Sequence, residues 1–203
     1  SYFYGINISE FEEKPDIIKL NITTNKSDLS SIFEDNYFIS GIDVLESKIE
    51  NLKIIKDMFK NCENLIKVNL TGLDFSGVED ISGMFDECIN LNEIIFNEIT
   101  NTKEVMTMES MFRGCKKISS INISSFSSFE NVKSLSNLFK GCKNLTNIIF
   151  PEKEIDARQV RNISNIFAQC NKLESFDFGN FTFENLVDAS YIFFECFSLT
   201  SVG

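Results

Sequence analysis

The sequence predicts an α/β solenoid in which each repeat of about 26–27 residues adds one parallel strand and one short helical turn. Two observations carry this. A unit Met-Phe-x-x-Cys recurs at Met58–Cys62, Met84–Cys88 and Met111–Cys115, and returns as Leu138–Cys142, Ile166–Cys170 and Ile192–Cys196. After each cysteine comes apolar-x-x-apolar-x-apolar: Leu65/Val68/Leu70, Leu91/Ile94/Phe96, Ile118/Ile121/Ile123, Leu145/Ile148/Phe150 and Leu173/Phe176/Phe178.

Within each unit two periods alternate. The first half runs Val78/Ile81/Met84, then Val105/Met108/Met111, Val132/Leu135/Leu138 and Val160/Ile163/Ile166. Spacing by three places these residues on one side of a short helical or 3₁₀ turn. The second half ends with the period-2 spacing of a strand. Parallel strands need a crossover, which the rest of each unit supplies. Together these elements describe a leucine-rich-repeat horseshoe or solenoid. A further apolar residue follows three after the strand, at Leu73, Ile99, Phe126 and Phe181. In the fourth copy Lys153 holds that slot, the unit is one residue longer, and Ile155 is expected to fill the core instead.

Taken in order, residues 1–28 read as an N-terminal cap or irregular first turn, with Pro15 marking a turn and Ile17/Leu20/Ile22 copying the strand pattern. Residues 29–48 are a degenerate repeat: Ile32-Phe33 precedes Met58-Phe59 by 26, and Asn36 stands in the cysteine slot. Residues 49–203 hold six repeats, the last incomplete. The chain opens at Ser1 and stops inside a repeat at Gly203, which predicts a piece of a longer protein.

The repeat unit resembles the BspA-like (bacterial surface protein) leucine-rich repeat: apolar-Phe-x-x-Cys-x-x-Leu-x-x-apolar-x-apolar, with a Val opening each turn. The resemblance covers roughly residues 29–203. It implies a surface-exposed or secreted protein of adhesion or interaction, with no catalytic residue in the repeat.

The 203 residues carry a net charge of −11 and no histidine. The charge argues against nucleic acid as partner. Without histidine there is no Cys-His or Ser-His pair. No glycine-rich phosphate loop is present. All six cysteines, Cys62, Cys88, Cys115, Cys142, Cys170 and Cys196, occupy one slot per repeat at spacings of 26–28, without the close pairs of a zinc site. They are expected to form a buried row of free thiols, small and apolar, rather than disulfides. No cofactor or metal is implied. The acidic clusters Glu12-Glu13, Asp86-Glu87 and Glu152/Glu154/Asp156 read as solvated faces. No segment is long and apolar enough to span a membrane.

Two candidate functional features remain. Outward strand residues form two rows, Lys67, Glu93, Ser120, Asn147, Ser175 and Asn69, Ile95, Asn122, Ile149, Asp177, which would line a concave face where solenoids bind partners. Eight N-x-Ser/Thr sequons, at Asn7, Asn21, Asn25, Asn69, Asn122, Asn144, Asn162 and Asn180, are potential glycosylation sites if the chain is secreted. The expected function is a non-enzymatic recognition or adhesion module that binds a protein or glycan, extracellular or at a cell surface. The alternatives are a structural subunit assembled with further copies of itself, and a cytoplasmic location.

Overall fold

The computed structural model describes the backbone of residues 2–3 and 6–8 and the full residues 17–98 and 100–203. The expected turn at Pro15, the cluster Glu12-Glu13 and the core slot at Ile99 lie outside the described residues. The chain winds as a parallel β-solenoid. Its main sheet holds β1 (Tyr2–Phe3), β2 (Ile6–Ile8), β3 (Ile18–Thr24), β4 (Gly41–Ile49), β5 (Lys67–Asn69) and β6 (Glu93–Ile95), in that order. β7 (Ser120–Asn122) pairs with β8 (Asn147–Ile149), and β10 (Ser175–Phe176) with β12 (Ser201–Val202). Registers advance by one repeat, as in Lys67↔Glu93 and Ser120↔Asn147. A second parallel row joins Thr100 to Phe126, and β9 (Ile155–Asp156) to β11 (Phe181–Thr182). A third runs through Asp28, Ile54, Asp80, Thr107, Ser134, Asn162 and Asp188, one bridge per turn.

Among the described residues the short helical turn is not formed, and the dihedrals show why. In every turn two residues four apart take positive φ: Asp57 and Asn61, Asn137 and Gly141, Asn165 and Gln169, among others. A residue in that region cannot belong to a right-handed helix. The apolar spacing of three is satisfied by serial turns instead, as where Lys60 N–H bonds Asp57 O and Cys62 N–H bonds Phe59 O. The alternate amides then point along the stack. Ile55, Asp57, Phe59 and Asn61 donate to the carbonyls of Asp80, Ser82, Met84 and Asp86 in the next turn, at 2.8–3.0 Å. Each positive-φ residue other than glycine costs about 1–2 kcal/mol. The inter-turn hydrogen bonds offset that cost, because they satisfy main-chain groups that would otherwise be buried unpaired.

Inside this ladder the phenylalanines of the repeat unit stack. Phe33, Phe59, Phe85, Phe112, Phe139, Phe167 and Phe193 form a continuous row, with centroids 5.4–5.8 Å apart and planes within 10°. Such separations with near-parallel planes are the offset stacking that aromatic quadrupoles prefer. Beside each ring the cysteine thiol donates back to the phenylalanine carbonyl of the preceding turn. Cys62 reaches Phe33 O at 2.9 Å, Cys115 reaches Phe85 O at 3.2 Å, and Cys196 reaches Phe167 O at 2.9 Å. That carbonyl also accepts the amide three residues on, so both lone pairs are used. Asn36, in the cysteine slot of the degenerate repeat, uses its Oδ1 instead to accept from Phe38 and Ile39 N–H. All six cysteines are free, and the first five are buried.

At the N-terminal edge β1, β2 and β3 pair antiparallel before β3 joins β4 in parallel. The β3–β4 register shifts at Leu45, which is left out of the ladder as a bulge. Gly72 packs onto that bulge: a Cβ there would lie 2.2 Å from Val44 O and 2.3 Å from Leu45 C. Ile155 is buried in the core of the longer unit, and the exposed Lys153 reaches out to Ser127 O at 2.8 Å.

Truncating one ring of the row tests its weight. Phe112→Ala is expected to lower unfolding stability, read by urea titration, by on the order of 3–5 kcal/mol, and Phe112→Leu by clearly less. Burial also sets a pH dependence. It pushes the Cys62 thiol from 9.0 up to about 12 and raises Cys88, Cys115, Cys142 and Cys170 well above their ordinary value. Unfolded thiols ionise first, so the stability is fully present below pH 9 and is lost as pH rises from 9 toward 12. The urea midpoint should fall over that window, and a Cys88→Ala/Cys115→Ala double variant should flatten the slope.

Candidate functional site

The outward residues of the short strands are set by alternation. Val68 and Ile121 point into the core and are buried, so their neighbours face out. The residues of the two expected rows lie on the short strands β5, β6, β7, β8 and β10 or directly after β10. Glu93, Ser120, Asn122, Asn147, Ile149, Ser175 and Asp177 are exposed, while Lys67, Asn69 and Ile95 are half-buried. Lys67 Nζ pairs with Glu93 at 2.9 Å, an exposed ion pair contributing about 0–1 kcal/mol. Asn147 Nδ2 donates to Ser120 Oγ at 3.4 Å. Asn69 Nδ2 donates to Asp43 Oδ1 at 2.8 Å. Asp43 was missed by sequence reasoning, which began the rows at Lys67. Its signal was available in the degenerate repeat, where Asp43 lies between Ile42 and Val44 in register with Asn69.

The sheet is not continuous. β6 and β7 stay within 8 Å of each other but form no ladder, and between β8 and β10 no pair of Cα atoms comes within 8 Å. A cleft of about 490 Å³ opens there, lined by Ile149, Phe150, Glu152, Phe176, Asp177 and Phe181 among others. Two sequence features sit at the break. The repeat before it carries the extra residue, and the strand after it has Phe176 where the other repeats carry Val68, Ile94, Ile121 or Ile148. That larger ring lies 4.4 Å from Phe167, 6.0 Å from Phe150 and 4.7 Å from Phe178, so it crowds the core beneath β10.

The sequons divide by geometry. Asn7 lies on β2, and its side chain is outside the described residues. Asn25, Asn122 and Asn180 are exposed; Asn21, Asn69, Asn144 and Asn162 are half-buried. At Asn69, Asn122 and Asn162 the side-chain oxygen accepts the main-chain N–H two residues on, from Thr71, Ser124 and Ser164, at 2.8–3.0 Å. These are Asx-turns. Asp28, Asp80 and Asp188 make the same bond to Ser30, Ser82 and Ser190 in other turns, where no sequon is written. Asp28, Asp80 and Asp188 share the bridge row of Asn162, so Asn and Asp serve the same turn there.

Of the acidic clusters, Asp86 is not solvated. It is buried and bound by Arg113 through Nε at 2.6 Å and Nη2 at 2.7 Å. The same pairing raises the Arg113 pKa. Glu87 meets Lys116 at 3.6 Å, and Asp156 is bridged by Arg158. The thiols are shielded and held protonated by burial, which makes them poor nucleophiles. The surface offers hydrogen-bond donors, acceptors and a few apolar contacts, the equipment of binding. Among the described residues no helix is long and apolar enough to cross a membrane.

If Asn162 serves its turn, Asn162→Asp should leave the melting temperature nearly unchanged. Asn162→Ala should cost about 0.5–1.5 kcal/mol in urea titration, the net value of one hydrogen bond.

Comparison with known proteins places the chain as follows. No curated protein matches it. Solved structures with similar coordinates include a leucine-rich repeat protein of T. pallidum, 15% identical, with 84% of this chain and 88% of that chain covered and a TM-score of 0.45. A leucine-rich cell surface protein of Faecalibacterium prausnitzii is 16% identical, with 89% and 52% covered and a TM-score of 0.42. A leucine-rich repeat protein of Bacteroides ovatus is 17% identical, with 98% and 51% covered and a TM-score of 0.41. The chain spans about half the length of the last two. A family model matches residues 53–149 and again 108–202, so the two matches overlap along the repeats and together take in well over half of the sequence. This agrees with the BspA-like character of the repeat unit. The chain belongs to the family described as "Mycoplasma protein of unknown function, DUF285".

Proposed function

We propose that this chain is a non-enzymatic recognition module that presents its concave sheet to a protein or glycan at a cell surface. The observation that carries the reading is the double row of outward, largely exposed strand residues repeated from turn to turn over a buried core. Solenoids bind along such surfaces, where each turn adds a few contacts at a fixed spacing. The protonated thiols and the absence of histidine support a binding role over a catalytic one. The BspA-like unit points to the cell surface.

The experiment combines substitutions with binding to glycan arrays and to cell-surface protein extracts. Ser120→Arg, Asn147→Arg and Ser175→Arg together should abolish binding without changing the melting temperature, since all three side chains are exposed. Retained binding in a folded triple variant would remove the concave face from consideration.

A further inference from the structure

We infer that the break between β8 and β10 is a slot for one extended strand of a partner protein, apolar on its inner side and basic on its outer side. The inference rests on the recognition reading and narrows it to a place and a chemistry.

The width admits a strand. Paired strands lie about 4.8 Å apart, so one intervening strand needs a separation of about 10 Å. The break is wider than 8 Å, while the other interruption, between β6 and β7, is narrower than that and leaves no room. The walls point the same way. Strands that continue the ladder donate back to the turn before them, as Glu93 N–H does to Ile66 O and Asn147 N–H to Ser119 O. Ser175 occupies the same position as Glu93 and Asn147, yet no main-chain hydrogen bond joins it to β8. By that alternation the N–H and C=O of Ser175 face the slot from one side and those of Ile148 from the other. An extended peptide is the ligand that satisfies two parallel rows of main-chain donors and acceptors together.

The lining selects its side chains. The floor is aromatic, with the Phe150 ring 6.0 Å from Phe176 and 5.1 Å from Phe181. Glu152 and Asp177 line the cleft, and no lysine or arginine does. An inserted strand therefore meets aromatic surface beneath and carboxylates at the rim, in a chain whose net charge is −11. Alternating apolar and basic residues fit that pattern, the apolar ones down and the basic ones out.

A short synthetic peptide of alternating lysine and valine is the probe, with its glutamate–valine counterpart as control. Fluorescence anisotropy should show saturable binding of the lysine peptide alone. Amide exchange at Ile148 and Ser175 should slow when it binds. Ser175→Pro deletes the N–H that faces the slot and should weaken binding about five- to tenfold, the effect of one net hydrogen bond. Should that variant fold poorly, Glu152→Lys, on an exposed position, should weaken the lysine peptide and admit the glutamate one. Absence of binding, or binding equal in these variants with no change in exchange at Ile148 and Ser175, overturns the slot. A ligand sensitive to Ser120→Arg, measured in parallel, separates the two ideas. If that ligand binds while the peptide fails, the slot alone falls; if both fail, the recognition reading falls with it.

Discussion

The structure depends on how each turn closes against the next around the phenylalanine row. A stacked ring fixes the separation of adjacent turns, and the main chain on either side of it must then satisfy itself within that separation. It does so by sending every second amide to the following turn, which requires two residues of positive φ per repeat. The phenylalanine carbonyl, left with a second lone pair in a dry environment, takes the thiol of the next cysteine. Ring, turn and thiol form one device. A residue larger than cysteine would crowd the row, and alanine would leave the carbonyl half satisfied.

Much of this was legible in the sequence. The period gave the stacking, the apolar-x-apolar triplets placed the short strands, and the cysteine slot named the buried row. The helical turn was misread because spacing by three fits a 3₁₀ turn and a series of i→i+3 turns equally well. The deciding signal was present: Asn, Asp or Gly stands at many of the positive-φ positions, as at Asp57, Asn61, Asn137 and Gly141, and these residues tolerate that conformation best. The Asx-turns at the sequons Asn69, Asn122 and Asn162 were not read from the sequence, where Asn-x-Ser/Thr registers only as a potential glycosylation site. The break in the sheet was not legible. One extra residue near Pro151 signals a longer loop, but which strand is displaced depends on how Phe176 packs, and that is a property of the assembled core.

Function in such a scaffold resides in what the core leaves outside. The core slots are filled by nearly interchangeable apolar residues, so their regularity speaks for stacking alone. The outward rows vary from turn to turn, from the Lys67–Glu93 pair to the plainer Ser120 and Asn147 and then to the acidic rim near Asp177. That gradient gives the surface a direction along the stack. Its interruption between β8 and β10 sets aromatic side chains, Phe150, Phe176 and Phe181, beside main chain that joins no neighbouring strand.

The most direct test of the account is residue-resolved amide hydrogen exchange of the native chain. If the turns close as described, the amides of Phe59, Phe85, Phe112, Phe139 and Phe167, each donating to the next turn, exchange as slowly as those of the paired short strands. If they exchange like surface loops while the strand amides stay protected, the inter-turn ladder does not hold the stack together, and the account is wrong at its centre.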